Sequence, residues 1–475
     1  MAYRQGDRYQ IGLLPQSIEE YVAPNDPVRV YDAFVDSLNL NELGIVYNEC
    51  RVGNSEYEPR AMVKLVLYGY SYGFRSSRKL ERAVYHNISF IWLMGGLKPD
   101  HKTIARFRKD NLKAIKNILK QCAKLCIKLE LIEGNTLFVD GSKFRANAGI
   151  NKTWTREKCE KYLKDIDKRI EEILSECEQT DSREQNNPSL VKMKEEIKDK
   201  EALKSKVKEI LKEIETEDIK SLNSTDQDCV KVKSRQGTHA GYNGQIVVDE
   251  KHGLIVNSDV VGESTDIYQF ANQIDQANQI LKEPCKNACG DAGYSDTDEL
   301  KKIDEQNITV IVPTNQQAHK RPNKPFDKAQ FRYDKENNCY YCPQGNKLSY
   351  KHFRKDKNFR VYQITDKSLC HVCKYKSACT KSKGGRRINR LVNEETKEKI
   401  ETQYKQEASQ TIYKHRKDKV ELPFGHIKRN LGAEAFLLRG LEGVKAEMSL
   451  LASCFNITRM INILGARVMI AKLII

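Results

Sequence analysis

Three carboxylates lie where the chain could bind divalent metal ions. Asp140 ends the apolar, strand-like run 136–139, and an Asp at the tip of a buried strand is costly unless something binds it. Asp291 lies in the Gly-Asp-Ala-Gly-Tyr segment 290–294, where the flanking glycines permit close backbone approach. Glu421 lies in a basic stretch that reads as helical. The three residues come from separate elements, as a site assembled by folding requires.

Carboxylates grouped in this way favour phosphodiester chemistry. Two divalent cations about 3.5–4 Å apart can activate an attacking oxygen, stabilise the leaving oxygen and neutralise the phosphate, and magnesium prefers carboxylate ligands. Composition alone also permits the interpretation that these three residues have no catalytic role. Most single Asp residues are solvated surface residues, and a lone Glu in a basic helix is ordinarily a salt-bridge partner.

The charge balance indicates the kind of partner. The 475 residues include 81 Lys and Arg against 65 Asp and Glu, a formal net charge of +16, and such a chain attracts polyanions. A ribosomal or structural nucleic-acid binder would show the same excess. The polar start 1–10 predicts no signal peptide, and the apolar end 468–475 is too short to span a bilayer. We therefore expect a cytoplasmic protein without a membrane partner, with its 14 cysteines reduced.

Residues 1–130 are predicted to form a helical N-terminal DNA-binding domain. Asp26, Ser77 and Asp100 can each cap a helix, and Pro59 can open another at its first position. The helix after Asp100 offers cations for a recognition helix, and a core-packing helix with charged edges is the alternative. Those cations are Lys102, Arg106 and Arg108.

Residues 131–475 are predicted to form a mixed α/β domain with two insertions, because strand-like and helical segments alternate. One insertion, 152–222, is rich in Lys and Glu and predicts an antiparallel helical hairpin with a solvated charged face. The other, 315–390, is rich in Cys and basic residues. Within it, 351–390 contains 13 Lys and Arg against two acids and suits DNA phosphate contacts, or is merely a soluble loop.

The second insertion also contains a cysteine cluster with zinc-like spacing. Thiolates two residues apart can bind one tetrahedral metal and staple a loop too small to hold a core. The cluster has five cysteines for four positions, so Cys339 or another is spare. The preferred ligands for a structural zinc are Cys342, Cys370, Cys373 and Cys379. Reduced, metal-free thiols are the alternative, and no His–Glu arrangement suggests a catalytic zinc.

Several segments, taken together, resemble bacterial insertion-sequence DDE transposases. Segments 57–70, 75–81 and 95–108 resemble their helical N-terminal domain. The segments that resemble the catalytic domain are 138–142 with Asp140, 290–294 with Asp291, 413–428 with Glu421, and 436–445. The likeness covers nearly the whole chain, in order.

The resemblance implies a ribonuclease-H-like catalytic fold and Asp140, Asp291 and Glu421 as the catalytic, metal-binding residues. It implies magnesium or manganese as cofactor and cleavage and strand transfer at element ends. The partners would be the double-stranded DNA of the terminal repeats and of the target. We expect the chain to act as a homodimer in the DNA complex.

One departure affects the residues that contact DNA. The family signature is Tyr-x2-Arg-x3-Glu-x6-Lys, and Tyr413, Arg416, Glu421 and Lys428 match it, except that four residues separate Arg416 from Glu421. Lys417 holds the three-residue spacing instead, so either Arg416 or Lys417 could reach DNA near Glu421. Two rival functions also stay open, a decayed transposase that only binds DNA and a nuclease without strand transfer.

Overall fold

The computed structural model describes residues 17–45, 56–181, 188–234, 237–320, 322 and 324–474. Its first seven helices are short and follow the capping signals of the sequence. Their bounds are α1 Pro27–Asp36, α2 Leu40–Leu43, α3 Pro59–Ser71, α4 Ser77–His86, α5 Ile88–Leu93, α6 His101–Asp110 and α7 Leu112–Lys128. Asp26 and Asp100 cap α1 and α6, accepting from backbone N–H groups at 2.9 and 2.6 Å. Ser76, and not the expected Ser77, caps α4.

A six-stranded mixed sheet carries the candidate carboxylates. Its strands are β1 Thr136–Arg145, β4 Val230–Ser234, β5 Gly237–Asp249, β6 Ile255–Val261, β7 Asn287–Cys289 and β8 Thr309–Ile311. β1 is central, antiparallel to β5 on one side and parallel to β7 on the other, with β8 parallel beyond β7. Both β4 and β6 pair antiparallel with β5. The mixed α/β character expected from the sequence is confirmed.

The remaining helices of this part surround the sheet. They are α10 Phe270–Leu281, α11 Thr297–Asp304, α12 Asn315–Ala318, α15 Glu394–Lys405, α16 Glu407–Gly425, α17 Leu441–Leu464 and α18 Ala466–Ile474. The sequence placed the start of α10 at Asp266, four residues early, because Asp266 instead begins a turn that precedes the helix. α16 packs against β1, β5 and β7, and α10 packs against β1, β5 and β6. Two helices from different parts of the sequence therefore border the strand that carries Asp140.

Between β1 and β4 the chain forms a helical pair. α8 Arg156–Asp181 and α9 Pro188–Thr216 pack against each other, and β2 Thr153–Trp154 pairs with β3 Leu222–Asn223 at their base. Cys159, Val207, Ile214 and Leu222 form a small separate core there. This pair occupies the segment for which the sequence predicts a hairpin.

The Cys-rich segment contains a second sheet of five antiparallel strands. They are β9 Arg332–Asp334, β10 Cys339–Tyr341, β11 Lys347–Arg354, β12 Phe359–Ile364 and β13 Arg387–Leu391, with short helices α13 Lys367–His371 and α14 Lys376–Cys379. Its core comprises Phe331, Tyr340, Leu348, Tyr362, Ile364 and Ile388. The expectation of a loop too small for a core is therefore wrong, since tilted and edge-on aromatic pairs, such as Tyr340 with Tyr362, pack in the core of this sheet.

One hydrophobic core joins the N-terminal helices to the sheet. α17 lies at its centre and contacts α3, α7 and β6. A buried ion pair crosses the same junction, with Arg75 Nη2 donating to Glu447 Oε1 at 2.6 Å. The division expected at residues 130 and 131 thus falls between α7 and β1, but the two parts share their interior.

Within the described ranges, a single helix long and apolar enough to cross a membrane is absent. The pair α17 and α18 reaches that length and apolarity only when taken together, across a bend of 111°.

Candidate active site

Adjacent parallel strands bring Asp140 and Asp291 together. Phe138 on β1 pairs with Cys289 on β7, and each Asp lies two residues beyond that pair in its own strand direction. The backbone turns sharply after β7, and the Asp291 carboxylate accepts from the N–H of Gly293 at 2.8 Å. The two carboxyl groups predicted from separate segments therefore meet where β1 extends past the end of β7. Asp140 lies within β1, which continues to Arg145, and does not end the strand as the sequence suggested.

Burial and charge set the electrostatics of this pair. Burial raises the pKa of Asp140 to about 6, Arg416 opposes the rise, and the negative charge of Asp291 adds to it. Arg416 Nη1 lies 3.2 Å from Asp140 Oδ1, and the guanidinium lies 5.7 Å from the centre of the Tyr413 ring. Asp140 is thus a largely buried acid with the Arg416 guanidinium on one side and the charge of Asp291 nearby.

Glu421 lies on the helix that packs across these strands, but its side chain is exposed. In the part of the chain that the structure describes, no three His, Cys, Asp or Glu side chains are grouped closely enough to hold a metal ion. The structure therefore brings two of the three predicted carboxylates together and leaves Glu421 outside that pair.

The two carboxyls that do meet have the chemistry for a hard divalent cation. Both are oxygen donors, and the negative charge of Asp291 raises the pKa of Asp140, so a cation between them would be stabilised. The pair fits the magnesium or manganese implied by the resemblance.

The structure also separates the roles of Arg416 and Lys417. Arg416 points toward Asp140, and its side chain is only 14% exposed, whereas Lys417 is exposed. Tyr413 is half-buried, and its ring packs edge-on against Tyr404 with centroids 5.1 Å apart. Arg416 and Tyr413 therefore lie beside the carboxylate pair, and Lys417 faces solvent. Which of Arg416 and Lys417 contacts DNA stays a prediction.

Lys428 contacts β1 next to Asp140 because the helix that carries it ends irregularly. Pro423 lies inside α16, and residues His426–Asn430 continue as a π-helical turn. Such turns change the direction of the side chains that follow and are frequent at functional sites. Lys428 Nζ donates to Ser142 Oγ at 2.6 Å and to the carbonyl of Lys143 at 2.9 Å. The cation is thus fixed on β1 just beyond Asp140.

A basic cavity opens beside the carboxylates. Its volume is about 480 Å³, and it continues along β1 from Asp140. Its lining residues are Gly141, Ser142, Lys143, Arg145, Ser234, His239, Lys428 and Glu434. Burial lowers the pKa of His239, and the charges of Arg145 and Lys428 lower it further. Several cations face one space here, an arrangement that attracts an anion such as phosphate.

Asp266 and its partners are part of the site that sequence reasoning missed. Asp266 Oδ1 accepts from Asn243 and Gln245, each at 2.7 Å, and lies 3.4 Å from Lys143 Nζ. The signal available in the sequence was the pair of amides at 243 and 245, since polar side chains are unusual inside an otherwise buried strand.

The three basic residues predicted on the helix after Asp100 do not share one environment. Lys102 and Arg106 are exposed on α6. Arg108 is only 6% exposed and donates to Tyr70 Oη, the carbonyl of Arg75 and Ser77 Oγ. The expectation of a DNA contact is therefore wrong for Arg108, because its guanidinium is committed to internal acceptors.

Four cysteines of the second sheet lie around one small pocket. Cys342, Cys370, Cys373 and Cys379 line a cavity of about 30 Å³, while the spare Cys339 is buried in β10. Burial raises the pKa of the Cys379 thiol. Their arrangement does not form a metal-holding group, and the zinc expected from their spacing stays a prediction.

Comparison with known proteins identifies the kind of chain. Residues 341–461 match a transposase DDE domain, and residues 16–110 match the transposase domain DUF772. Two separate segments of the chain are therefore similar to transposase domains. The resemblance to insertion-sequence DDE transposases is confirmed, and the DDE match with the mixed α/β sheet supports a ribonuclease-H-like transposase fold. The match at 341–461 includes Glu421, whereas Asp140 and Asp291 lie outside both matched segments.

One solved structure to which this chain is similar is a cryo-EM structure of a piggyBac transposase synaptic complex with hairpin DNA. It shares 10% identity, covers 94% of this chain and 79% of that chain, and has a TM-score of 0.33. No curated protein matches the chain.

Proposed function

We propose that the chain is a cytoplasmic, metal-dependent DDE transposase that cleaves DNA at insertion-sequence ends and transfers the freed strand into target DNA. The observation that carries this proposal is the proximity of Asp140, within β1, to Asp291, just beyond the end of β7, next to the helix that bears Glu421. The two domain matches support a function in transposition, and the proximity of the two carboxylates supports metal-dependent chemistry.

Asp140, Asp291 and Glu421 would hold two magnesium or manganese ions. When bound, such ions supply activation of the attacking oxygen and stabilisation of the leaving oxygen in phosphodiester cleavage and transfer. Asp140 and Asp291 are held in position by the sheet, whereas Glu421 presents an exposed carboxylate from α16. Arg416 balances the charge of the acidic pair, and Tyr413 limits where its guanidinium can move.

Positively charged residues around the pair would position the DNA. Lys428 and the basic cavity suit the phosphates next to the scissile one, because phosphate contacts set the register of a duplex without reading its sequence. Lys102 and Arg106 on α6 suit the terminal repeats. The second sheet adds exposed Tyr350 and Phe353 beside its basic residues. The expected homodimer in the DNA complex stays a prediction.

The four-cysteine pocket suggests a separate, structural role for zinc. We propose that Cys342, Cys370, Cys373 and Cys379 bind one zinc ion after a small closure of the pocket that they line. Such a metal would stabilise the second sheet and take no part in the cleavage.

The experiment that tests the proposed function uses a supercoiled donor plasmid carrying the gene with the DNA that flanks it on both sides, a target plasmid and magnesium. We expect cuts that leave 3′-hydroxyl groups at the repeat ends, followed by joined donor–target products. Cutting without joining would contradict strand transfer and favour a nuclease. Repeat binding without cutting would contradict catalysis and favour a decayed transposase.

A further inference from the structure

Asp266 lies near the carboxylate pair, and one of its carboxylate oxygens accepts from three donors. Its Oδ1 accepts from Asn243 Nδ2 and Gln245 Nε2, each at 2.7 Å, and pairs with Lys143 Nζ at 3.4 Å. The Asp266 side chain is only 25% exposed. A carboxylate with this many partners is held in one orientation, and its charge is directed at one lysine.

The same network reaches the turn that carries Asp291. Gln245 accepts from Tyr294 Oη through its other amide atom at 2.5 Å, and Tyr294 follows Asp291 by three residues. On the opposite strand, Gly141 lies directly beneath Asp266. A Cβ added there would overlap Asp266 Oδ1 and lie 2.5 Å from Gln245 Nε2. Asp266 therefore packs against the residue next to Asp140 and connects to the turn of Asp291.

Lys143 is the residue whose position matters most for metal binding. Burial lowers its pKa, and Asp266, Asp291 and Asp140 each oppose that change, so its ammonium group is influenced by all three acids. An ammonium group that paired with Asp140 or Asp291 would compete with a divalent cation for the same oxygens. The ion pair in the structure is instead with Asp266.

We propose that Asp266 is a positioning residue that holds the Lys143 ammonium away from Asp140 and Asp291 and so keeps that pair available to divalent metal. This inference rests on the proposed function, because it assumes that the pair binds metal. The two amides from β5 orient the Asp266 carboxylate, and its charge retains the lysine.

The test measures manganese binding to the full-length protein without DNA, by titration calorimetry. Loss of a residue that orients the ligands of a metal site typically weakens binding about 10–100-fold, so Asp266→Ala should weaken it at least about tenfold. Asp266→Asn keeps an oxygen for the amides but loses the charge, so it should weaken binding similarly without disturbing the fold. Adding Lys143→Met to either variant should restore most of the affinity, which a merely structural role of Asp266 would not allow.

The matched control is Asp275→Ala, which removes an aspartate of α10 that bonds Gln306 at 3.0 Å, and manganese affinity should not change. Wild-type affinity in Asp266→Asn would overturn the inference, as would weak binding that Lys143→Met does not restore. A wild-type chain that binds no manganese would overturn the proposed function and the inference together. Unchanged Asp266 variants beside a wild type that binds would overturn the inference alone.

Discussion

The buried ion pair between Arg75 and Glu447 offers a sharp test of how the N-terminal helices and the catalytic part are joined. The Glu447 side chain is 0% exposed. Its Oε1 accepts from Arg75, and its Oε2 accepts from the backbone N–H groups of Leu437 and Leu438 at 2.8 and 2.9 Å. Glu447→Ala would leave two backbone N–H groups and the Tyr70 hydroxyl without their acceptor. The buried Arg75 guanidinium would lose its counter-charge and keep only the carbonyls of Gly432 and Ala435 as acceptors. Removing one partner of a buried pair costs about 3–5 kcal/mol, so we expect a loss of that size in the free energy of unfolding.

The matched control is Glu442→Ala on the same helix. The Glu442 side chain is 71% exposed and lies 3.9 Å from Lys116, so its removal should cost less than about 1 kcal/mol. Urea denaturation followed by circular dichroism compares the two variants. Arg75→Ala combined with Glu447→Ala should cost less than the sum of the single changes, because the partners are in direct contact. A denaturation midpoint for Glu447→Ala no lower than that for Glu442→Ala would refute the reasoning.

Three further predictions concern the site, the DNA contacts and the thiols. Gly141→Ala should displace Asp266 and Gln245 and so lower the rate of cleavage of repeat-end DNA about 100-fold. Gly149 has open space around it, so Gly149→Ala should leave that rate unchanged. Lys102→Ala with Arg106→Ala should weaken binding to the repeats and reduce the slope of log binding constant against log salt concentration by about 1 for each phosphate that is no longer bound. Arg108→Ala removes a buried side chain and should instead destabilise the protein in thermal melts. Protein purified without added metal should contain about one zinc per chain by elemental analysis, lost in Cys370→Ser with Cys373→Ser and kept in Cys285→Ser. A zinc-free wild type would contradict the last prediction.

Local signals in the sequence predicted much of the fold. Capping residues such as Asp26 and Asp100 placed helix starts, because an N-cap acts over only three or four residues. The apolar run before Asp140 placed the central strand for the same local reason. The second sheet was missed as a folded unit, since its core depends on aromatic contacts between distant strands, such as Tyr340 with Tyr362.

The candidate site was predictable only in part, because its geometry depends on which strands pair. The sequence selected Asp140 and Asp291, but their meeting follows from the parallel pairing of β1 with β7. Arg108 looked available on a basic helix, and only the packing of α6 shows that it is buried. No sequence motif marks Asp266, because its proposed role depends on two amides of β5 and on a lysine 123 residues away in sequence.

The most direct test of the central claim is cleavage of repeat-end DNA by Asp140→Asn, Asp291→Asn and Glu421→Gln, each with binding to the same DNA measured in parallel. If these carboxylates hold the metal, each change should abolish magnesium-dependent cleavage while DNA binding survives, because phosphate contacts come from Lys and Arg. Glu407→Gln, in the first turn of the same helix as Glu421, is the matched control and should cleave normally. Glu421 is the decisive residue, since the structure leaves it outside the Asp140–Asp291 pair. Near-normal cleavage by Glu421→Gln would contradict the three-carboxylate site.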